Sequence, residues 1–310
     1  MPAFVHLHVH SEYSLVDGLL RIKPMVKAVA EAGMPAIAIT DQLNLFGLVR
    51  FYKAALAMGV KPIIGAEMLV RNPEDAGQPH RLVLLAQNQA GYLNLTRLVS
   101  RAYLEGQQGT AMPQVERDWI VAAAEGLIAL SGGPAGDVGQ ALLSGNRALG
   151  ERRLNHWLGA FGDRYYLELL RTGRPNEAEY LELGVELAIA RGVPVVATND
   201  VRFLTADDYE AHEARVCIRE RALLADPTRK RRYTREQFLR TPAQFEEWPL
   251  VDGEDEGAIV RVARTPSAQD LGVAAGVGVS DDDGVVVRDQ RLTEALDDEG
   301  LTVAGVAGDD

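Results

Sequence analysis

Between residues 4 and 200, short runs of β-branched and aliphatic residues alternate with longer segments of helical periodicity, and this alternation leaves few architectures open. The runs Phe4 to His8, Ala36 to Thr40, Ile63 to Val70, Leu82 to Ala86, Leu127 to Ser131, Tyr165 to Leu169 and Val195 to Thr198 read as seven strands. Helical stretches at roughly 23–32, 45–58, 90–104, 147–160 and 176–191 fall between them, and Gly33, Gly59 and Gly192 sit where C-terminal caps belong. Repeated β/α units of this length predict a parallel sheet closed into a barrel. An open doubly wound sheet is the alternative, but no Gly-rich phosphate fingerprint follows the first strand. In a barrel the chemistry gathers at the C-terminal strand ends. Those ends hold His8 and His10, Asp41 and Gln42, Glu67, Gly133, and Asn199 and Asp200.

The first of these ends is FVHLHVHSEYSLVDG, residues 4–18, where His6, His8 and His10 occupy alternate positions. An extended strand projects alternate side chains to one side, so three imidazoles would share a face. Neutral imidazole is a common zinc ligand, which points to a metal site at a strand end. The plain alternative is a half-buried strand whose histidines are satisfied by hydrogen bonds. Asp41, likewise, reads as well as a helix N-cap or turn residue as it does as a ligand.

A chain of 310 residues with 47% hydrophobic composition has enough apolar material for a sizeable core. No uninterrupted apolar run approaches the length of a membrane span, and no charged n-region precedes an apolar stretch, so a cytoplasmic location without membrane contact is expected. Cys217 is the single cysteine and reads as core filling. The net charge of −12 is nearly all tail: residues 249–310 hold 15 Asp/Glu against 4 Lys/Arg. That segment has no aromatic residue and is mostly Gly, Ala, Val, Asp and Glu, a composition that predicts disorder or weak order. These residue types share codons beginning with G, which suggests GC-rich DNA read out of frame. The basic run RKRRYTRE at 229–236 offers a partner-facing or phosphate-contacting loop, or simply a solvated charge run.

The segments FVHLHVHSEYSLVDG, AIAITDQLNLFGLVRFYKAA, GVKPIIGAE, LLAQNQAGYLNLTRLVSRAY, GLIALSGG, ELLRTGRPNE and GVPVVATNDVRF resemble, in order, the PHP (polymerase and histidinol phosphatase) domain of bacterial replicative polymerase α subunits, those of DNA polymerase III. The resemblance runs from residue 1 to about 245 and divides the chain into a PHP domain at 1–245 and a divergent acidic tail at 246–310. It implies a distorted seven-stranded β/α barrel, TIM-like in outline. It also implies a chain that stops before the polymerase domains that continue the family pattern.

Members of this family with intact sites are expected to hold about three metal ions, and some show 3′–5′ exonuclease or phosphoesterase activity. Carried over by position, the resemblance makes His8, His10, Asp17, Glu67 and Asp200 retained ligands. It makes Gln42, Arg81, Gly133 and Arg202 replacements, standing where the family has histidine, histidine, cysteine and histidine. Glycine has no ligand to offer, and a permanently protonated guanidinium repels a divalent cation and pairs with carboxylates instead. Arg81 and Arg202 are therefore expected to stand in for metal charge beside Glu67 and Asp200. No cofactor is expected, or a single Zn, Mn or Mg ion if the residual ligands still suffice. His80 is one residue out of register and faces away. The resemblance implies a role in DNA replication as a structural scaffold and docking site for a proofreading exonuclease subunit, with the remaining polymerase domains as partners and DNA met only indirectly. The alternative is a metal-dependent 3′–5′ exonuclease or phosphoesterase working through the residual ligands. Polymerase (nucleotidyltransferase) activity belongs to domains this sequence lacks.

Overall fold

The computed structural model describes residues 4–15, 17–73, 78–107, 112–246, 275–280 and 284–289; the last two segments and residues 245–246 are described as backbone alone. Six strands form one sheet: β1 Ala36–Ile39, β2 Lys61–Val70, β3 His80–Ala86, β4 Leu127–Leu130, β5 Tyr165–Leu170 and β6 Val195–Thr198. Their spatial order follows the chain, β1 to β6. The helices between and after them are α1 Ile22–Glu31, α2 Leu48–Ala57, α3 Gln89–Glu105, α4 Arg117–Ala122, α5 Asp137–Leu143, α6 Arg147–Phe161, α7 Glu177–Arg191, α8 Tyr209–Glu220 and α9 Pro242–Glu246. In the acidic segment, β7 Ala275–Ser280 and β8 Gly284–Asp289 pair antiparallel; the rest of the weak-order expectation lies outside the described residues.

The helical periodicities of the sequence are all realised within a few residues. α1 buries Ile22, Met25, Val26 and Val29, the i, i+3, i+4, i+7 stripe that places one face on the sheet. α3 begins at Asn88, whose side chain accepts from the Gly91 amide, and Asn146 caps α6 by accepting from Leu149. Gly192 ends α7 in the left-handed region at φ 62°, where a Cβ would be strained. Strands β1, β4, β5 and β6 are buried on both faces, which is why they read as continuous apolar runs without alternation.

Two expectations need correcting. The sheet is not all parallel: β1 and β2, β4 and β5, and β5 and β6 pair parallel, whereas β3 pairs antiparallel with both β2 and β4. The connection between β2 and β3 spans residues 71–79, too short to hold a crossover helix, so the chain turns back instead. Nor is Phe4 to His8 a regular strand. Residues 6–10 make isolated parallel bridges, His6 to Ile37 and Val9 to Val201. The Ala38 and Thr40 amides donate to His6 and Val9, and His10 and Val201 exchange bonds on the other side, with His10 N donating to Val201 O and Val201 N to His8 O. The N-terminal segment thus lies between the two ends of the sheet and curls it toward itself.

Candidate functional site

Curling the sheet brings His8 and His10 against the ends of β2, β5 and β6. Asp41 holds this entry segment in place: its Oδ1 accepts from the Ser11 amide at 2.6 Å and its Oδ2 from the Ser11 hydroxyl at 2.8 Å. Asp41 is thus a structural acceptor for a segment 30 residues away, and burial pushes its carboxyl up to about 6. His6 is set apart from the cluster. Its Nε2 donates to the Arg240 carbonyl at 2.8 Å, and burial first, then the Arg240 charge, lowers its pKa to about 4.

His8 is the hub of what remains. Its Nδ1 donates to Glu168 at 2.7 Å and its Nε2 to Glu67 at 3.2 Å, with Asp200 Oδ1 at 3.5 Å. Burial alone would discharge this ring, but Glu168 and Asp200 outweigh it and raise the pKa to about 10. His10 Nδ1 lies 2.8 Å from Ser14 Oγ and 3.1 Å from Asp17 Oδ1, and it also meets the guanidinium of Arg202. A guanidinium only donates and a carboxylate only accepts, so Nδ1 faces neighbours that call for opposite roles from it. The other ring nitrogen, Nε2, has no hydrogen-bond partner among the described residues.

Arg202 is 0% exposed and lies at the centre of the acids. Nη1 donates to Asp17 Oδ2 at 2.6 Å and Nη2 to Asp200 Oδ1. Arg81 Nη1 donates to Glu67 Oε2 at 3.0 Å, and Arg174 Nη1 to Asp200 Oδ2 at 2.8 Å. Gln42 donates its amide to Glu67 Oε1 at 2.8 Å. Burial pushes each acid upward, yet the cations beside it win. Asp17 is held well below the carboxylate range by Arg202 and His10, Glu67 is lowered by Arg81 and His10, and Asp200 is held down by Arg202, His8 and Arg174.

All nine positions singled out from the sequence lie at or around this cluster. Eight are tied to it by the contacts above. The ninth, Gly133, sits at φ +57° in a short 3-10 turn, where a Cβ would come within 2.5 Å of Leu170 Cδ1. His80 pairs in register with Val70 and is no part of the cluster, as its register implied. Asn199 serves structure, donating to the Glu236 and Phe238 carbonyls.

The sequence reading missed Glu168, Arg174 and Tyr233. Glu168 is a lone acid inside the fully buried run YYLELL, which was a usable signal, since carboxylates are almost never fully buried without a partner. Tyr233 reaches in from the basic run and donates to Asp17 Oδ2 at 2.8 Å. Elsewhere in that run Arg229 is buried against Glu213, whereas Arg231, Arg232 and Arg235 are exposed and pair at the surface with Glu210, Glu220 and Asp207.

Chemically, His8, His10 and Asp200 present ligand atoms within 4.8 Å of one another, the geometry of a metal-binding trio. The same acids are simultaneously bound by arginines.

Comparison with known proteins places this arrangement. The chain is 51% identical over 245 residues to DNA polymerase III subunit alpha of Pseudomonas aeruginosa, covering 79% of the chain and 21% of that protein. It is 51% identical over 244 residues to the same subunit of Escherichia coli K12, with the same coverage of both. The chain thus spans about a fifth of the length of these curated relatives. Among solved structures, an amidohydrolase from Chromobacterium violaceum is 18% identical with a TM-score of 0.42, covering 69% of this chain and 97% of that one. A family model described as PHP domain matches residues 6–172, from the first histidine of the entry segment to just past β5, and with more than half of its length so matched the chain belongs to the PHP domain family.

Proposed function

We propose that this chain is the PHP module of a bacterial replicative polymerase α subunit, acting in DNA replication as a metal-free scaffold and as a docking site for the proofreading exonuclease subunit. On this reading residues 1–245 are the domain, 246–310 a separate acidic tail, the N-terminal segment a seventh, irregular strand closing a distorted barrel, the remaining polymerase domains its partners, and the cytoplasm its location. The observation that carries it is Arg202. A guanidinium with no solvent exposure, bonded to Asp17 and Asp200 and in contact with His10, occupies the charge position that a second or third divalent cation needs. Arg81 does the same for Glu67. Multinuclear hydrolysis requires cations that polarise a phosphoryl oxygen and activate water, and this donor set does not fit two or three of them.

A second reading, a metal-dependent 3′–5′ exonuclease or phosphoesterase, is favoured by one observation. His8, His10 and Asp200 converge, and His10 Nε2 is buried without a hydrogen-bond partner among the described residues. Metal analysis of the dialysed protein separates the two. The scaffold reading expects less than one tightly bound ion per chain and no phosphodiester hydrolysis. Two or more ions per chain, with hydrolysis abolished by His8→Ala, overturns it.

A further inference from the structure

Helix α2 sits shallowly on the body of the protein. Of its ten residues only Phe51 and Ala55 are buried, whereas α1, of the same length, buries four. Its outward side carries Val49 and Leu56, seven residues apart and 64% and 56% exposed, and Phe46 in the turn before it is 62% exposed. An amphipathic helix keeps its large apolar side chains inward, so this side is a face without its neighbour.

The same side is basic. Arg50 and Lys53 are exposed on it, Arg50 lying over the Tyr13 ring, and neither has an ion-pair partner among the described residues. Arg21 and Lys23, likewise exposed and without ion pairs among the described residues, flank Ile22 at the start of α1. A Cβ on Gly47, at the start of α2, would come within 3.1 Å of Ile22 Cδ1, so these two cations border the same face. No acid answers them from α2 or its flanks: from Gln42 to Ala66 the sequence has neither Asp nor Glu. The buried cluster is the opposite case, since Arg81, Arg174 and Arg202 are each bound to acids there.

What covers such a face must bring apolar side chains and carboxylates together. A second copy does not, because a two-fold contact sets the same patch against itself and meets cation with cation. The chain's own acidic tail does. Residues 292–301 read LTEALDDEGL, with Leu292 and Leu296 four apart and Glu294, Asp297, Asp298 and Glu299 around them. The other acid-rich stretches of the tail, DGEDEG at 252–257 and DDDG at 281–284, hold no leucine. Reach is no obstacle: the chain between α9 and β7, residues 247–274, can extend on the order of 90 Å, further than a domain of this size is wide. We propose that residues 292–301 dock in cis on the outer side of α2, their leucines against Val49 and Leu56 and their carboxylates on Arg50 and Lys53. Any partner that uses this face must displace them. The proposal stands whether or not the histidine and acid cluster holds a metal.

The test uses the whole chain, treated with a carbodiimide that joins a lysine amine directly to a carboxylate in contact with it, the monomer then being isolated and its linked peptides identified by mass spectrometry. The expected result is a link within one chain from Lys53 to Glu294, Asp297, Asp298 or Glu299. Two variants probe the apolar half of the contact without disturbing the core: Leu296→Ser in the tail and Val49→Ser on the exposed side of α2. Each should lower the yield of that link about tenfold, the effect of losing roughly one buried apolar side chain. No link at Lys53, or one chiefly to acids outside 292–301, would overturn the proposal and leave the face to a partner outside this chain. Links found only between chains would assign it to a second copy and overturn it equally. A link whose yield neither serine variant changes would reduce the contact to diffuse charge attraction, and the docking proposed here would fail.

Discussion

At the scale of the residue, Arg202 is a fully buried charge held by buried acids. Removing one partner of a buried ion pair leaves the other charge uncompensated, so Arg202→Met is expected to destabilise the protein by about 3–5 kcal/mol, seen as a lower midpoint in urea unfolding with an unchanged slope. A loss below about 1 kcal/mol would show that the acids simply take up protons. The titrations give a second expectation. Asp17, Glu67 and Asp200 have folded-state pKa values below their unfolded ones, so their contribution is full above the unfolded carboxylate range and is lost as pH falls through and below about 4. His8 runs the other way: its value rises from 6.5 to about 10 on folding, so its contribution is full below 6.5 and drains as pH climbs toward about 10. Denaturant midpoints measured from pH 3 to 10 should therefore decline at both ends, and the alkaline decline should vanish in His8→Gln.

At the scale of the element, the reversed strand β3 explains what the sequence showed and what it hid. Five of six strands end where the site is, so reading their C-terminal ends found Asp41, Gln42, Glu67, Gly133 and Asp200 by rule. Arg81 lies at the start of β3, which reaches the site only because that strand runs backward, and it emerged from the family resemblance alone. Strand direction is set by the length and geometry of a connection, and periodicity carries no mark of it. The helices were legible because their buried stripes are local. Tyr233 was not, because it reaches Asp17 across 216 residues from a run whose composition speaks only of charge. Its hydroxyl bond is a local test of how firmly that segment is fastened: Tyr233→Phe should cost about 1 kcal/mol and speed hydrogen exchange in residues 229–236 more than in α6.

At the scale of the whole molecule, the chain matches about a fifth of the length of its relatives and carries apolar side chains open to water. Ile218 and Leu223 are 82% and 77% exposed near the end of α8, and Leu15, Phe46 and Val49 are exposed beside the site. Such surface drives association when nothing covers it. Sedimentation of the isolated chain is expected to show concentration-dependent oligomers that Ile218→Lys and Leu223→Lys reduce; a monomer at all concentrations would contradict this.

The entry segment laid between the two ends of the sheet also sets a timetable. His10 and Arg202 are 192 residues apart in the chain, and the backbone bonds to Val201 span nearly the same separation. A ribosome adding about 5–20 residues per second needs on the order of 10–40 seconds to cover that distance. During that interval His8, His10 and Asp17 have been synthesised, but the cation that neutralises their cluster has not. The entry segment can meet β1 early, but the bonds that close it against Val201 and Arg202 form only once the last strand of the sheet has emerged, and until then one of its sides stands open to other contacts.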